Sequence, residues 1–160
     1  MKASKQHRYA LQVEWTGNLG RGTSGYRTYA REHTISKEGA DVISGSADPV
    51  FRGDPRCYNP EELLVGSLSG CHMLWYLHLC AEAGIIVLEY LDQPSGIMEE
   101  TADGGGRFRE VVLRPQIVIA AGGNADRAAV LHEAAHQRCF IANSVNFAVR
   151  CEPIVRIAPG

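Results

Sequence analysis

No CxxC pair, no run of basic residues, no internal repeat and no low-complexity stretch occurs in these 160 residues. Each absence excludes something. Without close-spaced cysteines, the common zinc-finger and zinc-ribbon patterns are out. Lys and Arg number 16 against 18 Asp and Glu, for a formal charge of −2 and a pI near 6.3. Nucleic-acid binders carry a basic excess or a basic face, so no nucleic-acid partner is expected. The first fifteen residues, MKASKQHRYALQVEW, hold no apolar segment of the signal-peptide kind, which predicts a cytoplasmic protein.

Long apolar runs are also scarce. The longest stretch without a formal charge is Leu63 to Ala81. It approaches the ~20 residues that a membrane span needs. Yet Gly66, Ser67, Ser69, Gly70, His72 and His78 interrupt it and acids flank it, so a buried central helix is expected and no membrane. The length fits one domain over residues 1–160.

Elements follow from periodicity. Tyr9, Leu11, Val13 and Trp15 alternate with Arg8, Ala10, Gln12 and Glu14, which predicts a half-buried strand. Glycines make 17–22 a turn, and a second strand is expected from Tyr26 to Ile35. Asn59 suits an N-cap, Pro60 a first helical position and Glu62 the acid of a capping box; Gly84 marks the end. Leu64, Leu68, Cys71, Trp75 and Leu79 fall on one stripe of that helix. Strands are expected at Ile85–Leu91, from Gly96, and along Phe108–Ile119. A second helix begins near Asn124 and runs towards Cys139, and a last strand carries Val145, Phe147, Val149 and Cys151. Strands, long helix, strands, helix, strand: the fold class is α+β, an antiparallel sheet with two helices.

Five cysteines stand at 57, 71, 80, 139 and 151. Cysteines in a reducing compartment are reactive, metal-bound or simply packed. Cys71 lies about twelve residues past the helix cap, beyond reach of the helix dipole. Apolar surroundings keep a thiol inert, so a reactive Cys71 needs a cation delivered from elsewhere in the fold, for which arginine suits.

The segment Asn59-Pro60-Glu61-Glu62-Leu63-Leu64 with Gly70-Cys71-His72 resembles the central helix of the OsmC/Ohr family. So does His136-Gln137-Arg138-Cys139 followed by Ile141, Asn143 and Ser144. The opening Trp15-Thr16-Gly17-Asn18 with Arg21-Gly22, Tyr90 and the Phe108-to-Pro115 strand are similar too. The resemblance implies an intertwined homodimer that reduces organic hydroperoxides, and hydrogen peroxide, through cysteine. It assigns Cys71 the attack and Cys139 the resolution. Glu61 matches the family glutamate and Arg21 the family arginine, with Arg27 and Arg31 as substitutes. No cofactor or metal is implied; the partner is an external dithiol such as a dihydrolipoyl protein. The chain departs from the family in having Phe140 where proline often follows the resolving cysteine, and in His72.

One geometric constraint follows from the residues alone. Ten residues separate Glu61 from Cys71, about 15 Å along one helix, so they meet only if the helix breaks or a partner supplies one of them.

Two other readings stand beside this one. His132, His136 and Cys139 at i, i+4 and i+7, or Cys71-His72 with His78-Cys80, could bind metal. A non-catalytic module could hold a hydrophobic ligand, with Cys71 as lining. Cys80 and Cys151 read as packed, and Cys57 as a loop thiol able to act as another resolver. Apolar Leu68, Leu74 and Trp75 favour an organic over a hydrated peroxide.

Overall fold

The computed structural model describes residues 5–160, which divide into two units, one up to Leu63 and one from Leu64 onward. In the first, β1 (Gln12–Trp15), β2 (His33–Ser36) and β3 (Ile43–Gly45) pair antiparallel in that order. Trp15 stands opposite His33, and Ile35 opposite Ile43. The alternation before Trp15 does produce a strand, but Leu11, Val13 and Trp15 stay exposed, so its apolar side is uncovered. The expected second strand is shorter because its first half is tied into turns. Thr28 N donates to Gly25 O at 3.0 Å, and the Arg31 guanidinium donates to the carbonyls of Tyr26 and Tyr29 at 2.8 and 2.6 Å.

The Trp-Thr-Gly-Asn segment is built for close approach. Trp15 Nε1 donates to Ala30 O at 2.9 Å, and Ala30 N donates to Gly17 O at 2.9 Å. A Cβ on Gly17 would collide with the Ala30 carbonyl, so glycine is required there. Asn18 Oδ1 then accepts from the amides of Gly20 and Gly22 at 2.9 and 3.0 Å. Both glycines have positive φ, +93° and +53°, a region that glycine enters at little cost. Arg21 lies between them, exposed on the loop.

The helix start is as its residues dictate. Glu62 N donates to Asn59 Oδ1 at 2.8 Å, and Asn59 N donates to Glu62 Oε2 at 3.1 Å. This reciprocal box satisfies two amides that the helix itself leaves unpaired and is worth about 1 kcal/mol. The helix it opens, α1 (Pro60–Glu82), is unbroken. It ends at Gly84, φ +70°, with Ile85 N donating to Cys80 O and Gly84 N to Ala81 O, the paired bonds of a Schellman stop.

The second unit contains β4 (Val87–Asp92), β5 (Ser95–Glu100), β6 (Gly106–Leu113), β7 (Pro115–Ile119), α2 (Ala125–Arg138), β8 (Ala148–Cys151) and β9 (Ile154–Ile157). The expected Phe108–Ile119 strand is two strands, since the Arg114 amide leaves the ladder for Asp92 Oδ1 at 2.7 Å and Pro115 has no N–H to give. The strands form sheets in the orders β4-β7-β9 and β5-β6-β8. Each sheet is mixed, because β6/β8 and β7/β9 run parallel while β5/β6 and β4/β7 run antiparallel. Parallel neighbours need a crossover, and α2 supplies it. The fold is α+β, two helices with mixed sheets.

One side of α1 buries Leu68, His72, Tyr76, Leu79 and Cys80. Tyr76, Leu79 and Cys80 pack with Ile117, Ile119, Ala128 and Ala135 of β7 and α2. Leu68 packs with Val111 and Leu113 of β6. Among the described residues α1 is the one helix long and apolar enough to cross a membrane, yet this stripe makes it a core helix. Burial stops at that stripe: Leu74 is 65% exposed.

Candidate active site

Two of the four residues singled out by the sequence are brought together. Cys71 sits half-buried on α1, and Cys139 is buried at the C-cap of α2. The Cys71 side chain lies beside the Cys139 thiol. Burial, with the Cys71 contact second, pushes the Cys139 thiol up to about 11, although the amides of Ala142 and Ile141 oppose the shift. Cys139 is therefore a protonated thiol near neutrality, and Cys71 is the more accessible sulfur of the pair.

The residues after α2 hold Cys139 in place. Cys139 Sγ accepts from Ala142 N at 3.4 Å. The Asn143 side-chain amide donates to Gln137 O at 2.9 Å and to Cys139 O at 3.0 Å, closing carbonyls that the helix end leaves open. Ser144 Oγ donates to Phe140 O at 2.7 Å. The spacing of Asn143 and Ser144 behind Cys139 thus has a local cause.

An apolar crevice of about 270 Å³ lies at Leu74, Trp75 and His78, one to two turns beyond Cys71. Trp75 meets the rings of Phe140 and His78 edge-on, both at 5.7 Å between centroids, and the Arg138 guanidinium lies 5.9 Å over its face. Phe140 therefore braces the crevice where the family often has proline.

Glu61 and Arg21 belong to the first unit. Half-buried Glu61 shares a crevice of about 210 Å³ with Arg31, His33, Ser46, Asp48 and Phe51. Arg31 is fixed over the rings of Tyr26 and Tyr29, at 4.5 and 4.1 Å, besides its bonds to their carbonyls. Among the described residues Arg21 makes no ion pair. Arg27 is exposed, and Cys57 is half-buried in a turn closed by its amide on Asp54 O. Because α1 is continuous, Glu61 and Cys71 stay about 15 Å apart along its axis.

A second cluster escaped the sequence reading. His72 of α1, His132 of α2 and Cys151 of β8 converge, with His72 Nε2 and His132 Nδ1 2.9 Å apart. Burial first, and then neighbouring imidazoles, pull His72 down to about 4 and His132 to about 3. Burial pushes the Cys151 thiol up to about 12. The sequence had suggested grouping His132 with His136 and Cys139 along one helix. Instead His132 turns inward to partners 60 and 19 residues away, and no spacing rule marks such a set. The only signal available was that His72 falls beside the apolar stripe of α1.

A family model described as OsmC-like protein matches residues 53–153. An OsmC-like protein of unknown function from Vibrio cholerae is 32% identical, with TM-score 0.83, over 93% of this chain and all of that one. An organic hydroperoxide resistance protein from Elizabethkingia anophelis is 20% identical, with TM-score 0.66, over 96% of this chain and all of that one. The uncharacterized Bacillus subtilis protein YmaD is 21% identical over 94% of this chain and 96% of its own length.

Proposed function

We infer the function of this chain from its family and its thiols: it belongs to the OsmC-like proteins, and we read it as a cytoplasmic thiol peroxidase for organic hydroperoxides. The observation that supports this reading is the approach of the Cys71 side chain to the Cys139 thiol. Neighbouring thiols, here 68 residues apart in sequence, are what a resolving disulfide requires.

The steps balance. The Cys71 thiolate attacks the outer peroxide oxygen; an S–O bond forms, the O–O bond breaks, and the alkoxide leaves as an alcohol after taking a proton. The Cys139 sulfur then attacks the Cys71 sulfenic acid; an S–S bond forms and water leaves. An external dithiol, such as a dihydrolipoyl protein, restores both thiols and is itself oxidised to a disulfide. The apolar crevice at Leu74 and Trp75 suits the organic group of the peroxide.

Thiolate formation and alkoxide departure both need positive charge nearby. Arg21 takes that role by resemblance; Arg31 is the arginine that shares a crevice with Glu61. The Glu61 that acts on a given Cys71 comes from a second copy of the chain, because the helix holds its own Glu61 a fixed ~15 Å away. The protein is accordingly a homodimer whose sites draw on both chains. Peroxide consumption with a dithiol reductant tests the reading: wild type turns over and Cys71→Ser does not. Equal rates in the two would remove the thiol chemistry.

A further inference from the structure

We propose that His72, His132 and Cys151 form a binding site for a borderline-soft divalent metal ion, zinc foremost, with a fourth position open to water. The site shares no side chain with the Cys71–Cys139 pair and does not depend on the peroxidase reading.

His72 Nε2 and His132 Nδ1 are 2.9 Å apart, and Cys151 Sγ lies 3.5 and 3.8 Å from them. A tetrahedral ion with nitrogens at about 2.1 Å and a thiolate at about 2.3 Å sets N···N near 3.4 Å and N···S near 3.6 Å. The sulfur separations already match. The two nitrogens need part by only about half an ångström.

As a packed polar group the cluster is poorly satisfied. Both imidazoles are buried, at 1% and 3% exposure. Between them the two rings make one nitrogen-to-nitrogen hydrogen bond. The other ring nitrogens, His72 Nδ1 and His132 Nε2, have no partner among the described residues. Buried polar atoms left in this state are uncommon. Two metal–nitrogen bonds and a metal–sulfur bond would replace the contacts among His72 Nε2, His132 Nδ1 and Cys151 Sγ.

Cys151 loses its proton when the ion arrives, as a coordinating thiol does. His132 and Cys151 also line a crevice of about 600 Å³ together with His136, Glu133 and Arg150. That opening gives the ion a route in and gives water the fourth position. Two nitrogens and one sulfur are a borderline-soft set, which suits zinc over magnesium or calcium.

Cobalt(II) added to the reduced, chelator-treated full-length protein tests the site. One ion per chain is expected, with a near-ultraviolet thiolate-to-cobalt band and four-coordinate visible bands. His72→Asn and His132→Asn should each weaken binding by more than about tenfold, and Cys151→Ser should remove the thiolate band. A Cys71→Ser/Cys139→Ser double variant should keep both, which separates this site from the redox thiols. X-ray absorption on the zinc-loaded wild type reads the shell directly even if a variant fails to fold, and should give two nitrogens and one sulfur. No saturable one-to-one band, a band that survives Cys151→Ser, or a sulfur-free shell would each overturn the proposal.

Discussion

The thiol of Cys139, buried at the end of α2, lies beside Cys71 in the middle of α1. One sulfur is half-buried and the other buried, and the two steps of the proposed peroxide reduction divide along that difference. In that proposal the accessible sulfur meets the substrate and the sheltered one waits for the sulfenic acid.

That division separates two variants. Cys71→Ser should reduce peroxide consumption to the uncatalysed rate. Cys139→Ser should consume one equivalent and stop, leaving a Cys71 sulfenic acid that a dimedone-type reagent traps. Rapid-mixing assays of peroxide loss, with and without dithiol, check both outcomes.

Asn143 should act on the second step only. Its side chain ties the carbonyls of Gln137 and Cys139, and Asn143→Ala removes both bonds at a cost of about 1–3 kcal/mol. Sulfenic acid should still form at the wild-type rate, while disulfide formation slows several-fold. Stopped-flow fluorescence of Trp75, which packs on Phe140 beside Cys139, follows the two phases separately.

A site shared between chains predicts complementation. Glu61→Gln and Cys71→Ser homodimers should each be impaired. If the chains exchange freely, half the dimers become heterodimers with one intact site of two, so about one quarter of wild-type activity returns. No recovery in a mixture shown to exchange would overturn the shared site.

The Cys139 thiol also predicts an alkaline limit. Its folded value, about 11, lies above the ~8.5 of a free thiol. A raised value means the folded chain holds its proton longer than the unfolded one. The stabilisation is therefore complete below about pH 8.5 and is lost as pH rises towards 11, at about 1.4 kcal/mol per pH unit. Cys151, raised to about 12, adds to the loss in the same direction. Urea titrations of wild type and Cys139→Ala at pH 8, 9.5 and 11 isolate the Cys139 share, and the variant should lose less over that range.

Local chemistry explains which features were readable in advance. Asn59, Pro60 and Glu62 announce the start of α1, and Gly84 its end, because caps involve residues three to five apart. Alternation located β8 but not the parallel pairing of Val111 with Val149, which depends on how α2 returns the chain. The alternation at Val13 and Trp15 gave the strand and not its burial, since burial needs a covering layer that periodicity does not describe. For the site, family likeness supplied Cys71 and Cys139, and no spacing would have paired them. His72, His132 and Cys151 come from α1, α2 and β8 with no shared motif, so only the folded chain brings them together.

The most direct test of the thiol account is peptide mass spectrometry on the reduced protein after one equivalent of an organic hydroperoxide. The account predicts a single major cross-link joining the Cys71 and Cys139 peptides, reversed by dithiol. A bridge to Cys57, Cys80 or Cys151 instead, or Cys71 recovered as an unmodified thiol, would contradict it.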